Sequence, residues 1–561
     1  MNPAHEGTPA ARNPAGLPAE PATSGRRGLV TLALLGMAVR LALVWAGWCD
    51  NRVVADDAFY YFTIARNLAS GHGATFDGLA PTNGFHPLWL LLLTPLYAAA
   101  QALRLGSWRA LHLALSLCAL LDLVSGVLLW RFLRRLGCPR GAHWAAAVWF
   151  LSPFTVLLSL RGMESALTVT LFAAWITLVA RAFEAGARAR ALPAAGAWDL
   201  PGAGWGAVLG LATGLAFLAR TDNGPFLGFA LAVMAGGTAL GARGTWMRAL
   251  RFVLAAGVVA ACVALPWLLW NVAVFGSPWQ VSGAVKLQNP QVFGHVPGDP
   301  GSILRFLVAF VWVPAFFAAG ESMKHRTAFL AIGTVQWVVL AALLPLLGHA
   351  LWRPRTPATR GLAAGLAAYV LAHAVVYTLV LRSYVVWYAT VPVFIVAALF
   401  AGLAAQGVLG RLAPAGRSAL AAGALLVATV TFAQYFAATR VQPRGEELVV
   451  RPILTKIARL APGARTVGVF NAGAAGYFAP EIGPFTVVNL DGLVNNAAAG
   501  AWQEGRYFEY LESRVDVVIN DADATLSFLL GPGNRARFDA RYPRWSPGSL
   551  VCGPRLQTPV R

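Results

Sequence analysis

The sequence predicts an all-α polytopic membrane domain followed by a small extracytoplasmic α/β domain, and three observations lead there. Apolar residues make up 57% of the 561 residues, charged residues only 12%, and mean hydropathy is +0.60, the composition of a chain that sits in lipid. Apolar runs recur from Gly28 almost to Phe436. After Phe436 they shorten, charges increase, and strand-like segments alternate with helical ones.

Residues 1–27, rich in Pro, Ala and Gly, read as a disordered cytoplasmic N-terminus. The run 28–48 is long enough to span and follows Arg26-Arg27, but no small-residue cleavage site comes after it, so it reads as a retained helix. The membrane domain occupies 28–439, with spans at 28–48, 110–130, 143–160, 165–181, 204–219, 225–242, 252–272, 327–350, 361–381, 385–405 and 418–436, about 11 in all. Two further apolar runs are expected not to cross. If Leu88 to Leu103 spanned, the next helix would carry Arg131, Arg134, Arg135 and Arg140 outside, against the positive-inside rule. A spanning Ile303 to Ala319 would do the same to Arg353, Arg355 and Arg360. The net charge of +20 thus marks topology, with most arginines in short loops between apolar runs, and argues against a nucleic-acid partner. The five cysteines form no CxxC pair and no metal spacing; whether Cys49 and Cys552 pair is not readable.

The outer loop 49–109 carries the most informative residues. It begins Asp56-Asp57-Ala58-Phe59-Tyr60-Tyr61 and runs on to Thr82-Asn83-Gly84-Phe85-His86-Pro87. Ionised acids are costly in hydrocarbon, so a pair at a helix end should face a water-filled, functional cavity. Tyr61, Ile64, Ala65 and Leu68 recur at helical spacing opposite Thr63, Arg66 and Asn67, which predicts an interfacial amphipathic helix ended by Gly71 and Gly73. The C-terminal domain, 440–561, should have strands at Thr466 to Phe470, Thr486 to Leu490 and Val515 to Asn520, and helices at Glu446 to Leu460 and Ala501 to Glu512. Asn471 to Gly476 lacks the GxGxxG pattern and reads as a tight strand-to-helix turn. The polar segment Val488 to Asn496 reads as an acceptor contact or a packed loop.

With this topology, one membrane face collects Asp56 and Asp57, Arg161-Gly162-Met163-Glu164, Arg220-Thr221-Asp222, the loop from Phe275 to Lys286, and Arg382 with Trp387-Tyr388. Acids beside arginines and a lysine at a membrane surface suit a reaction on a lipid-borne phosphate, with basic side chains holding its oxygens.

These residues resemble the GT-C class of integral-membrane glycosyltransferases: the acid pair after the first helix, the long first outer loop with its helix, and the later Gly-Met-Glu, Arg-Thr-Asp and Trp-Tyr segments. Within the class, Asp-Asp-Ala-Phe, Ala-Arg-Asn-Leu-Ala-Ser-Gly-His-Gly, Phe-Asp-Gly and Thr-Asn-Gly are similar to the bacterial branch of arabinofuranosyl, aminoarabinose and mannosyl transferases. Pro81 stands where arabinofuranosyltransferases tend to have an aromatic residue. The resemblance implies a polyprenyl-phosphate-linked sugar as donor, an envelope glycan, lipid or protein as acceptor, and a bacterial inner membrane with the site facing outward. It implies inversion, with Asp56 as the base that takes the acceptor proton and Asp57 orienting it or binding a divalent cation such as Mg²⁺ or Ca²⁺. Asp57, Glu164 and His86 are the candidate cation ligands. Lys286, Arg382 and Arg220 are the candidates for the donor phosphate, and Tyr60, His86, Trp387 and Tyr388 for substrate contacts.

Each residue also has a plainer reading. Asp57 fits a helix N-cap, Glu164 a surface partner of Arg161, and Arg220 with Asp222 a structural ion pair. Lys286 and Arg382 fit snorkelling to headgroups, His86 a hydrogen-bonded loop residue, and Trp387 and Tyr388 the aromatic belt. A transporter or flippase for a polyprenyl-linked or anionic substrate is the alternative function, and it would place polar residues at the midplane in broken helices.

Overall fold

A computed structural model describes residues 22–50, 53–188, 202–241, 245–288, 357–382, 446–520 and 522–554, with isolated positions between 388 and 415. The expected spans at 327–350, 385–405 and 418–436, the run Ile303 to Ala319 and Trp387 lie outside these residues.

The membrane part is a helical bundle: α1 (Ala22–Trp45), α2 (Asp56–Ala69), α3 (Pro87–Ala102), α4 (Ser107–Arg135), α5 (Pro139–Leu151), α6 (Pro153–Ser159), α7 (Ser165–Arg188), α8 (Ala203–Ala219), α9 (Asn223–Gly241), α10 (Trp246–Phe275), α11 (Val281–Gln288) and α12 (Pro357–Val375), the last continued by a π-turn over Val376–Val380. Among the described residues, 6 helices are long and apolar enough to cross a membrane: α1, α4, α7, α9, α10 and α12 with its π-turn. α8 is apolar but shorter. Its Gly206, Gly210 and Gly214 press on α10, where an added Cβ would meet Phe252 O at 2.3 Å and Ala256 O at 2.4 Å. Small residues at this spacing let two helix backbones touch in lipid.

The expected span 143–160 is broken in two between α5 and α6. Pro153 has no N–H to offer the Trp149 carbonyl, so other donors supply the break. Thr155 Oγ1 donates to Trp149 O at 2.5 Å, and Arg40, reaching across from α1, donates to Phe150 O at 2.9 Å. Arg40 also pairs with Asp122 of α4 at 2.6 Å, with both side chains almost fully buried. The break is therefore filled by a satisfied ion pair.

α3 does not run across the bundle. At one end His86 leads into the site, and at the other Gln101 Nε2 donates to Arg66 O (3.1 Å) and Ser70 Oγ (2.9 Å) at the end of α2. The two helices lie alongside one another. At about 1.5 Å per residue, the 16 residues of α3 reach about 24 Å, short of the roughly 30 Å hydrocarbon thickness.

The C-terminal part comprises α13 (Glu446–Leu460), β1 (Thr466–Val469), α14 (Gly473–Phe478), a 3₁₀ turn (Ala479–Glu481), β2 (Thr486–Asn489), α15 (Asn496–Gln503), α16 (Tyr507–Arg514), β3 (Val517–Ile519), α17 (Asp523–Leu530), α18 (Asn534–Arg541) and β4 (Val551–Cys552). Its sheet has the order β2-β1-β3-β4, with β1 parallel to both neighbours and β4 antiparallel to β3. The three expected strands are present. β4 was not foreseen, and the expected helix 501–512 is two helices, α15 and α16. One face of the domain has its own core of Phe470, Leu490, Tyr507, Leu511 and Val518. The other face, with Val469, Tyr477 and Phe478, joins the core of the membrane domain.

This joint corrects the reading of α2 as an amphipathic interfacial helix. Every residue from Ala58 to Ala65 is buried, Thr63 included, because the C-terminal domain covers the side expected to face water. Cys49 and Cys552 are both buried and are not joined to one another by a disulfide.

Candidate active site

The site is assembled where α2 begins. Ala55 is the N-cap, so Asp56 and Asp57 fill the first turn and neither caps the helix. Ala55 N donates to Arg161 O at 3.2 Å, which ties this start to the loop before α7. The two acids then part. Asp56 accepts from Gly473 N (3.1 Å) and Ala474 N (2.8 Å), the first amides of α14. Gly473 is required there, since a Cβ would lie 2.1 Å from Asp56 O. Ten residues on, Arg66 donates to Tyr477 O (2.8 Å) and Gly476 O (3.1 Å) at the other end of α14. α2 thus grips α14 with an acid at its positive end and a base at its negative end, both favourable with the helix dipole.

Asp57 faces the ionic groups. It is half-buried. Burial raises its carboxyl above the usual range; the Lys286 charge draws it down and the Glu164 charge pushes it up. Lys286 Nζ donates to Tyr388 Oη at 3.0 Å. Burial pulls the lysine down, but the Tyr388 hydroxyl and Asp57 outweigh this and hold it above its ordinary value. Beside them Arg220 uses all three nitrogens of its guanidinium. Nη1 donates to Glu164 Oε1 (2.8 Å), Nε to Asp222 Oδ1 (2.9 Å) and Nη2 to Tyr377 Oη (2.8 Å), while the guanidinium lies 4.2 Å from the Tyr388 ring centre. Tyr377 also donates to Asp222.

His86 closes this side. Its Nε2 is 3.8 Å from Glu164 Oε1, and its ring stacks on Tyr61 at 6.5 Å. Burial, reinforced by the Arg220 charge, pushes the imidazole down to about 3, so it is neutral. Gln280 bridges the loops, donating to Phe85 O and accepting from Thr221 Oγ1 at 2.9 Å.

Of the residues singled out from sequence, Asp57, Glu164, Arg220, His86, Lys286 and Tyr388 come together. Asp56 and Tyr60 face the C-terminal domain, and Arg382 is exposed, with a left-handed backbone at φ 48. Tyr377 and Gln280 were missed: a tyrosine in an apolar helix and a glutamine in a loop carry no pattern.

The expected cation ligands lie in one region but form no metal site. Among the described residues, no three His, Cys, Asp or Glu side chains gather closely enough to hold a metal ion. Glu164 Oε1 is already taken by Arg220, although Oε2 has no hydrogen-bond partner. This donor set does not fit a three-ligand cation site.

No family model and no curated protein matches the sequence. Solved structures do match in fold. ArnT from Cupriavidus metallidurans bound to undecaprenyl phosphate is 17% identical, with 91% of this chain and 100% of that chain covered and a TM-score of 0.52. The archaeal oligosaccharyltransferase AglB from Archaeoglobus fulgidus, with an inhibitory peptide and a dolichol-phosphate, is 13% identical over 96% of this chain and 75% of that chain, with a TM-score of 0.54. An oligosaccharyltransferase from the same archaeon, in complex with Zn and sulfate, is 15% identical over 94% and 73%, with a TM-score of 0.50. The chain thus shares its overall fold with ArnT and with the archaeal oligosaccharyltransferase.

Proposed function

We propose that the chain is a membrane glycosyltransferase that moves a sugar from a polyprenyl-phosphate donor to an acceptor hydroxyl, with Asp57 as the base. The observation that carries this is the placement of a half-buried Asp57 in the field of Lys286, at the end of the bundle where Glu164, Arg220 and Asp222 meet. The sequence pointed to Asp56 as the base, but both Asp56 oxygens accept α14 amides, which leaves Asp57 as the acid that faces the ionic groups.

In the proposed step, the acceptor oxygen attacks the anomeric carbon from the side opposite the phosphate. Its proton passes to the Asp57 carboxylate, the bond from carbon to phosphate oxygen breaks, and the electron pair leaves on the polyprenyl phosphate, with inversion. Phosphate is a good leaving group, so one base suffices. An ammonium has three donors; Lys286 gives one to Tyr388 and has two for phosphate oxygens. Arg220 contributes charge and position, with three of its five N–H groups given to Glu164, Asp222 and Tyr377. The same reading places the site and the C-terminal domain outside a bacterial inner membrane, which keeps Arg131, Arg134 and Arg135 at the cytoplasmic end of α4.

The test is transfer from a panel of labelled polyprenyl-phosphate sugars. Asp57→Asn should lower turnover by about 10²-fold or more. Asp56→Asn should cost about 1 kcal/mol of stability as a lost helix-terminus contact, with a smaller loss of rate. The reverse ranking would return the base to Asp56, and no transfer from any donor by the wild type would end the reading.

A further inference from the structure

We propose that the segment 489–503 of the C-terminal domain is a positioning element of the site, a strut that sets Asp57 against Lys286. This rests on the roles just given to those two residues.

The strut begins at Tyr60, four residues after Asp56 and three after Asp57, and so on the flank of α2 next to both acids. The Tyr60 hydroxyl lies 3.3 Å from Asp491 Oδ2 and accepts from Asn489 Nδ2 (3.2 Å) and Ala472 N (3.3 Å). Asp491 is buried, and its other oxygen accepts from Leu493 N at 2.8 Å, so the acid is fixed at both ends. Burial pushes this carboxyl up to about 7, and the Asp57 charge adds to the rise.

The middle of the segment is seated on the loop that leads to His86. Asn496 Nδ2 donates to Asn83 Oδ1 at 2.9 Å, and Asn83 N lies 3.4 Å from Asn496 Oδ1. Gly84 passes so close that a Cβ would lie 2.0 Å from Leu493 O. The far end holds the helix that carries Lys286. Leu493 and Ala499 pack with Val281 and Val285 of α11, and Gln503 Nε2 donates to Gln288 Oε1 at 2.7 Å. Asn83 Oδ1 also accepts from Val281 N at 3.0 Å, so one buried amide joins strut, loop and α11. A loop packed only to cover apolar surface would need none of these polar seats on both sides of the reacting groups.

The experiment uses the full chain, with exposed Cys262 replaced by Ser and spin labels at His72→Cys, beyond the end of α2, and Leu287→Cys on α11. Both label positions are exposed. Gly84→Ala and the milder Asn496→Ala are compared with the parent for label distance and for kcat and donor KM. The expected result is a shifted or broadened distance in both variants and a kcat lowered by about 10-fold to 10²-fold with little change in KM. Unchanged distances, or changed distances with unchanged kcat, would overturn the proposal. If Gly84→Ala does not fold, Asn496→Ala decides alone. A parent that transfers no sugar while its distances respond to the substitutions would remove the proposed reaction and leave the strut standing.

Discussion

Two neighbouring aspartates of identical type do different things because a helix turns by about 100° per residue, and that is why the sequence showed the pair but not the division of labour. Asp56 looks to α14 and Asp57 to Lys286. The two basic candidates divide in the same way. Lys286 sits on Tyr388 in the site, whereas Arg382 is exposed. Lys286→Ala should raise the donor concentration needed for half-maximal transfer by about 10-fold or more, the scale of a lost charge-assisted hydrogen bond. Arg382→Lys should leave the donor dependence unchanged; equal effects would restore Arg382 as a phosphate ligand. The pH profile follows from burial. Asp57 acts as its carboxylate and its pKa is raised, so activity should fall on acidification at a pH above the ordinary carboxylate value of about 4. Removing Glu164, which pushes that pKa up, should move the acid limb to lower pH; Glu164→Gln profiled from pH 4 to 8 checks the direction.

At the scale of elements, hydropathy located most described spans to within a few residues, because length and apolarity are local. It could not see the break at Pro153, where a single residue without an N–H splits one run into α5 and α6. Nor could it show that Arg40 in the first helix is the donor that fills the break, a contact made 110 residues away. Losing one partner of a buried pair strands the other charge, at a cost of about 3–5 kcal/mol. Asp122→Ala should therefore lower thermal stability sharply, and Arg40→Met with Asp122→Leu should recover much of it, read by a thermofluor melt in detergent. Equal melting of single and double variants would show that the pair is not coupled. The amphipathic reading of α2 failed for a related reason: Arg66 of its polar stripe has protein partners contributed more than 400 residues later, and Asn67 is taken by the carbonyls of Thr75 and Phe76.

For the whole molecule, the arginine distribution was enough to gather the polar motifs at one end of the bundle. The contacts now tie that end to the C-terminal domain. Tyr477 Oη donates to Ser107 O at the first turn of α4 at 2.7 Å. α4 then runs 29 residues, about 43 Å, to Arg135, which pairs with Glu184 of α7 at 3.1 Å. In the proposed topology Arg135 and the C-terminal domain lie on opposite sides of a bilayer. Arg135→Cys and Arg506→Cys should accordingly be labelled by an impermeant thiol reagent from opposite faces of sealed vesicles, and labelling of both from one face would refute the topology.

The grip of α2 on α14 also has a consequence for how the protein is made. Asp56 and Gly473 are separated by 417 residues. During synthesis the first loop therefore emerges long before the domain that shields it. Until then Phe59, Phe62 and Tyr97 lack their aromatic partners Tyr477 and Phe478 and present an apolar, sticky surface at the membrane face. Contacts of such long range form slowly, because the chain must first close a very large loop. Maturation then requires the docking of this late-made domain, and a nascent chain halted before residue 473 holds an unprotected first loop open to misassembly and proteolysis.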